Sequence, residues 1–93
     1  MYYVTLSACG NIDHCENPFD NIVNGKRINQ YIVECHNVEE CILAVNKYIK
    51  ENFLGSGNWT GGKVFKDGEQ VGYISYNGRY WSKGSEYYKN TQQ

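Results

Sequence analysis

The sequence lacks the features that define several large classes of protein. No apolar run approaches the ~20 residues that a membrane-spanning helix needs, so no membrane partner is expected. The opening residues MYYVTLSACG contain neither a basic segment nor a long apolar one, which predicts a cytoplasmic protein without a secretory leader. A single proline and a 41% share of hydrophobic residues predict an ordered chain rather than a disordered one.

Patterns that mark nucleotide-binding and catalytic sites are also missing. The sequence has no P-loop and no G-x-G-x-x-G, and its glycine-rich GSGNWTGG is expected to follow a helix. The neighbouring carboxylates Glu39 and Glu40 are explained by a helix start. We therefore expect a protein that is not an enzyme and needs no cofactor. A formal net charge of −1 argues against nucleic acid as a direct ligand, because domains that bind it are usually basic.

Cysteine and histidine are present but are not spaced for a metal. Structural zinc sites use tight C-x₂₋₄-C pairs, whereas these cysteines form two pairs that are each six residues apart. No metal ligand is therefore assigned, although a small zinc-binding domain that uses the Cys/His set is one alternative. In a cytosolic chain the default is four reduced thiols, namely Cys9, Cys15, Cys35 and Cys41.

The first half of the chain predicts two strands around a long loop. Apolar and polar residues alternate from Tyr2 to Cys9, and again from Gln30 to His36, as in strands with one buried face. Residues 10–29 are rich in Asn, Asp and Gly and predict a long loop with a turn at Asn24-Gly25. A short hairpin over Asn21–Ile28 is the alternative.

A helix is predicted after the second strand. Asn37 is a good N-cap, with Glu40 three residues further on. An apolar stripe then recurs at three- and four-residue steps, and Gly55 is expected to take the C′ position. The stripe consists of Ile42, Val45, Ile49 and Phe53.

The segment KVFKDGEQVGYISYNGRYW predicts a three-stranded meander. Asp67-Gly68 and Asn77-Gly78 are strong signals for two-residue hairpin loops. If both loops have two residues, Val64 opposes Val71 and Ile74 opposes Trp81. The chain is then a single α+β domain over residues 1–93, with an antiparallel sheet of about five strands and one helix on one face. The order is β-loop-β-α-β-β-β, followed by a disordered tail at about 88–93.

This register assigns the aromatic residues to two faces. One face carries Phe65, Ile74 and Trp81, which we expect to pack under the helix, with Gly72 allowing the helix to approach closely. The other face carries Tyr73, Tyr80 and Lys66, beside Val64 and Val71. Tyrosine is a good contact residue, so this second face is either a solvated surface or a binding surface. The predicted partner-binding residues are Tyr73, Tyr80 and Lys66, with Lys26 and Arg27 of the long loop.

Residues 30–82 resemble the small phage-encoded inhibitors of CRISPR–Cas systems. The likeness is carried by the α+β element order and by the hairpin KVFKDGEQVGYI, with a lysine before an Asp-Gly turn. It implies a non-catalytic protein that binds a host protein or ribonucleoprotein, here a CRISPR effector complex, and occludes it. An alternative is a nucleic-acid-binding module that stacks bases on sheet tyrosines. A homodimer could also form through an exposed sheet edge near Tyr80 or Tyr3.

Overall fold

The structure is a computed structural model that describes residues 1–84. It contains one α-helix and seven strands within that range, together with a 3₁₀ turn at Ile12–His14. The tail predicted at 88–93 lies outside the described residues. The elements are β1 (Tyr2–Leu6), β2 (Ile22–Val23), β3 (Lys26–Arg27), β4 (Tyr31–Cys35), α1 (Val38–Glu51), β5 (Lys63–Lys66), β6 (Glu69–Ile74) and β7 (Tyr80–Ser82).

The predicted α+β architecture is confirmed. Five strands form one antiparallel sheet in the order β4-β1-β5-β6-β7, and α1 packs on one face of it against β1 and β4. The alternation predicted in the first strand is confirmed, since Val4, Leu6 and Ala8 are buried. They meet Val45 and Tyr48 of α1, whereas Ile42 and Ile49 lie half-buried at the border of the core.

The helix begins as the sequence predicts. The backbone N–H of Glu40 donates to the Asn37 side chain at 2.8 Å, and the Glu40 carboxylate accepts the His36 N–H at 2.9 Å. The first contact satisfies a backbone donor of the first helical turn, and the second holds the N–H of the residue before the cap. This reciprocal pair fixes the point at which β4 turns into α1.

The predicted helix end is wrong. The left-handed residue after the helix is Phe53, with φ 54°, and the N–H of Leu54 donates to Ile49 C=O at 3.0 Å. That bond closes the helix in the manner usually associated with glycine, so Gly55 does not take the C′ position. Phe53 is also 81% exposed and does not belong to the apolar stripe.

We expect Phe53→Gly to stabilise the fold by about 0.5–1 kcal/mol. A left-handed conformation costs a side chain about 1–2 kcal/mol, and the greater freedom of glycine in the unfolded chain offsets part of the gain. Urea unfolding measures the difference. Phe53→Ala is the matched control, because it removes the ring and keeps the Cβ atom. An equal gain in the alanine variant would assign the effect to the exposed ring instead.

The long loop contains the 3₁₀ turn and a short hairpin, and the hairpin alternative for residues 21–28 is confirmed. β2 and β3 pair antiparallel across Asn24-Gly25, whose φ angles of 53° and 77° suit a tight turn. Val23 and Ile28 at the two sides of the hairpin are buried in the core. The loop is thereby attached to the helix-bearing side of the molecule.

One carboxylate holds the first part of this loop. Glu16 accepts the backbone N–H of Asn11 at 2.9 Å and that of Asn24 at 2.7 Å. These two hydrogen bonds hold the pKa of the Glu16 carboxyl below its usual value. The charged form of Glu16 is thus the form that the folded loop favours.

We expect acid to destabilise the protein partly through Glu16. Because its pKa is lowered on folding, the contribution is complete above the unfolded value of about 4.3 and is lost as the pH falls through the folded value. Glu16→Gln should therefore flatten the decline in urea midpoint below about pH 5. Glu51→Gln, on an exposed carboxyl of α1, is the control. Equal acid sensitivity in wild type and Glu16→Gln would contradict this assignment.

Asn58 and Trp59 fasten the segment between α1 and β5 to the body. The Asn58 side chain donates to Cys9 C=O and accepts the Gly55 N–H, both at 2.9 Å. The Trp59 indole N–H donates to Ile74 C=O at 3.1 Å, and its ring lies 6.0 Å from that of Tyr48. Both residues are buried, so this short segment joins the loop, the helix and the sheet.

The second turn of the meander has one more residue than predicted. The first loop, Asp67-Gly68, is confirmed, with Lys66 opposite Glu69. In the second, Ser75 N–H donates to Arg79 C=O at 3.0 Å and Gly78 has φ 80°, which leaves three residues in the loop. Ile74 therefore opposes Tyr80 rather than Trp81. A shift of one residue turns every side chain of the strand to the other face.

A bulge makes a similar change between β5 and β6. Val64 opposes Gly72 while Phe65 opposes Gln70, so Val71 is an extra residue in β6. The predicted pairing of Val64 with Val71 is wrong. As a result Val64 is fully buried with Ile74, and Phe65 lies on the face away from the helix.

Among residues 1–84, the outer strands of the sheet are β4 and β7. The predicted edge near Tyr80 is confirmed, whereas Tyr3 lies in β1, which is paired on both sides. Within residues 1–84, no helix combines the length and the apolar character needed to cross a membrane.

Candidate binding face

The sheet face opposite α1 carries several large side chains that lie outside the core. We call it the open face and define it by residues that share one side of the five strands. Tyr3 opposes Glu34 on one side and Phe65 on the other, and Tyr73 opposes Lys63 and Trp81. The open face comprises Tyr3, Thr5, Ile32, Glu34, Lys63, Phe65, Tyr73, Arg79 and Trp81.

Two contacts order the polar groups of the open face. The Tyr3 hydroxyl donates to the Glu34 carboxylate at 2.9 Å, which raises the pKa of Tyr3 because the bond favours its protonated form. The Arg79 guanidinium lies 4.6 Å from the centre of the Trp81 ring, within the range of a cation–π contact. Negative charge thus sits near β4 and positive charge near β7.

Tyr73 is on the open face, as the sequence predicts, and is half-buried there. Tyr80 is not, and its predicted position is wrong. Its hydroxyl donates to Val71 C=O at 3.1 Å, and its ring packs beside the core over Gly72. A Cβ atom on Gly72 would lie 2.5 Å from Tyr80 Cζ. Gly72 therefore makes room for Tyr80, not for the helix.

The predicted face of Lys66 is also wrong. It opposes Tyr2 across β1 and β5, and its ammonium lies 5.1 Å from the centre of the Tyr2 ring. Tyr2 alternates with the exposed Tyr3 and packs against the core. Lys66 is exposed at the end of β5 but belongs to the helix-bearing side.

Lys26 and Arg27 form strand β3 of the small hairpin rather than part of the five-stranded sheet. Both are exposed. Arg27 donates to the Asn21 side chain at 2.6 Å and lies 3.3 Å from the Asp20 carboxylate. The structure therefore does not join these two residues to Tyr73, and a role for them in binding stays a prediction.

Phe65 and Trp81 are open-face residues that the sequence reasoning assigned to the core. Each lies half-buried on the side away from α1. The one signal for Trp81 is ambiguous, because Asn-Gly occurs in two-residue loops and also in three-residue loops with glycine in the left-handed position. No comparable signal marks a bulge at Val71. Tyr76, which shares the second turn, donates its hydroxyl to Leu54 C=O at 3.1 Å.

A shallow hollow of about 580 Å³ opens at the corner of the open face. Its lining is rich in hydroxyl groups, and Ser7 and Thr60 place theirs 2.9 Å apart. The remaining residues are Thr5, Leu6, Gln30, Tyr31, Ile32 and Lys63. This hollow can hold water or a polar group at the margin of a larger contact.

The cysteines give no support to the zinc alternative. Cys35 and Cys41 are buried next to each other, and burial raises the pKa of the Cys41 thiol to about 12, with a smaller contribution from Cys35. Cys15 is exposed in the loop. Among residues 1–84, no three His, Cys, Asp or Glu side chains are gathered as metal ligands would be. The buried pair instead behaves as small apolar core residues.

The open face can bury apolar area and direct a few polar contacts. It combines aromatic and aliphatic side chains with one carboxylate and two cations, a composition typical of protein contact surfaces. No family model, curated protein or solved structure matches this chain.

Proposed function

We propose that this chain is a non-catalytic binding protein that uses its open face to occlude a protein partner. The observation that carries the proposal is the row formed by Glu34, Tyr3 and Phe65 in direct cross-strand register. Tyr3 is 38% exposed and Ile32 beside it is 63% exposed, although the helix covers the other face of the same strands. Large apolar side chains in this position are costly to solvate and favourable to bury against a partner.

The chemistry of the face favours a protein over a nucleic acid. Glu34 ends the row next to Tyr3, where its carboxylate would repel a phosphate backbone. Its hydrogen bond from Tyr3 gives the row a fixed polar group instead, which can pair with a donor on a protein surface. The partner that the resemblance implies is a bacterial CRISPR effector complex, and the chain would act by blocking access of target DNA to it.

An inhibition assay tests both parts of the proposal. Purified effector complexes of several CRISPR types, loaded with guide RNA, are titrated with the protein, and binding of labelled target DNA is followed by anisotropy. We expect stoichiometric loss of DNA binding with one type. Tyr3→Ala combined with Phe65→Ala should weaken inhibition on the order of 100-fold, since two central anchors of an interface contribute at this scale. Tyr73→Ala tests the residue retained from the sequence prediction.

Leu43→Ala is the matched control for these variants. Leu43 is an equally apolar and exposed residue, but it lies on α1, so its removal should leave inhibition intact. Circular dichroism checks that each variant is folded. If no effector is inhibited, the CRISPR part of the proposal fails. If inhibition survives in the Tyr3/Phe65 variant, the open face is not the binding surface. Salt-sensitive binding of labelled DNA to the protein alone would favour the nucleic-acid alternative.

A further inference from the structure

Among the described residues, β4 is an outer strand that is paired on one side only. It pairs with β1 over five consecutive residues, from Tyr31 opposite Leu6 to Cys35 opposite Tyr2. Within residues 1–84, the backbone of Tyr31–Cys35 forms no hydrogen bond apart from this ladder. Such an edge presents a row of N–H and C=O groups that another strand can pair with.

The β4 edge also lacks the usual protection against pairing. Natural edge strands are commonly interrupted by proline, lysine or a bulge, and β4 has none of these. Its one charged residue is Glu34. Apolar side chains stand exposed on both of its faces, with Tyr31 50% exposed on the helix side and Ile32 63% exposed on the open face. An unprotected edge strand with exposed apolar side chains tends to pair with another strand.

We propose that β4 pairs antiparallel with β4 of a second copy of this chain, with the two-fold axis at Ile32. The two sheets then continue into one another, and both helices lie on the same face. This inference rests on the edge of the sheet and does not require the function proposed for the open face, although Ile32 lies on both surfaces.

The sequence of β4 complements itself when two copies pair antiparallel, and this favours a second copy of the chain as the partner in this register. About an axis at Ile32, the two Ile32 side chains meet, Tyr31 faces Val33 of the second copy, and Gln30 faces Glu34. Apolar residues thus face apolar residues, and the carboxylate faces an amide. An axis at Val33 would instead set Ile32 against Glu34. Two-fold interfaces require a surface that complements itself, and an antiparallel β4 pair meets that requirement.

The groove beside the edge supports the same arrangement. A hollow of about 200 Å³ lies between β4 and α1, with Tyr31 and Val33 on one wall and Ala44 on the other. The Tyr31 ring is held edge-on to Tyr48, with centroids 5.8 Å apart. In the proposed register, Val33 of the second copy comes to lie beside the Tyr31 ring and covers its exposed side.

The charges at this groove suit a two-fold contact. The rim carries Lys47 and Glu51, one residue of each sign. A two-fold axis presents the same pair in reversed order, so the contact does not force like charges together. Balanced charge of this kind allows close approach where a row of lysines would prevent it.

Sedimentation equilibrium of the full chain tests the proposal from micromolar to millimolar concentration. We expect a monomer–dimer equilibrium in the wild type. Ile32→Lys places two ammonium groups on the axis and should raise the dimer Kd on the order of 100-fold or more. Leu43→Lys is the matched control, since Leu43 is 67% exposed on α1 and lies away from β4, and it should leave the dimer Kd unchanged. Both positions are exposed, and circular dichroism confirms that the variants fold.

Each outcome decides the proposal. A wild-type chain that is monomeric at the highest concentration overturns it, as does a dimer that Ile32→Lys leaves intact. Loss of the dimer in Leu43→Lys alone would assign the interface to the helix and would also overturn it. Hydrogen exchange adds a direct readout, because the outward amides of Tyr31–Cys35 should gain protection as concentration rises. The inhibition assay on Tyr3 and Phe65 is unaffected by these outcomes, so the two proposals fail separately.

Discussion

Trp59→Ala is expected to lower the free energy of unfolding by about 3–5 kcal/mol, the range for truncating a large buried aromatic residue. Trp59 is only 8% exposed, and its loss would also leave Ile74 C=O without the indole N–H that it accepts. A domain of this length has a total stability of roughly 5–14 kcal/mol. The variant should therefore be close to unfolding at physiological temperature.

Urea unfolding followed by circular dichroism measures this effect, with Trp59→Phe as the control. Phenylalanine keeps most of the ring and removes the hydrogen bond, so we expect a loss of about 1–2 kcal/mol, which separates packing from the indole contact. The ring also lies against Gly61, where a Cβ atom would come within 2.9 Å of Trp59 Cη2. A loss below about 1 kcal/mol in Trp59→Ala would contradict the anchoring role given to this residue.

Asn58→Ala is expected to cost about 2–4 kcal/mol, because it leaves two backbone groups without their partner. The side chain donates to Cys9 C=O and accepts the Gly55 N–H at the same time. Its amide nitrogen also lies 3.4 Å from the Glu16 carboxylate. Asn58 is 3% exposed, so water cannot easily replace these bonds. The region of residues 9–16 should lose protection from hydrogen exchange along with global stability.

Asn52→Ala is the matched control for Asn58→Ala. Asn52 makes one side-chain bond, from its amide to Tyr48 C=O at 2.9 Å, at the half-buried end of α1. Its removal should cost no more than about 1 kcal/mol. Equal losses in the two variants would mean that Asn58 acts as an ordinary loop residue.

Sequence reasoning recovered the elements whose signals are local. The Asn37 cap, the alternation in β1 and the Asp67-Gly68 turn each depend on a few neighbouring residues, and each was found where the sequence placed it. The hairpin at Asn24-Gly25 belongs to the same group, because its turn residues identify it.

The face assignment failed because it depended on counting residues across two irregularities. The third residue in the loop after Ser75 places Trp81, rather than Tyr80, on the open face. The bulge at Val71 places Phe65, rather than Val64, on the same face. Both are changes of one residue in a pattern of period two. The sequence could not choose the loop length, since Asn-Gly occurs in both forms, and the bulge is set by how β6 pairs with β5. The predicted face of Tyr73 is correct because its position in β6 does not depend on the length of the second turn.

The strand order β4-β1-β5 has a consequence for how the protein is made. β1 lies in the interior of the sheet, yet both of its neighbours are synthesised after it, and Tyr2 pairs with Lys66 as well as Cys35. While the chain is being translated, β1 has two unpaired sides until β4 has left the ribosome, and one side stays unpaired until β5 follows. Contacts between such distant parts of a chain slow folding. We therefore expect the five-stranded sheet to close only once most of the chain has left the ribosome.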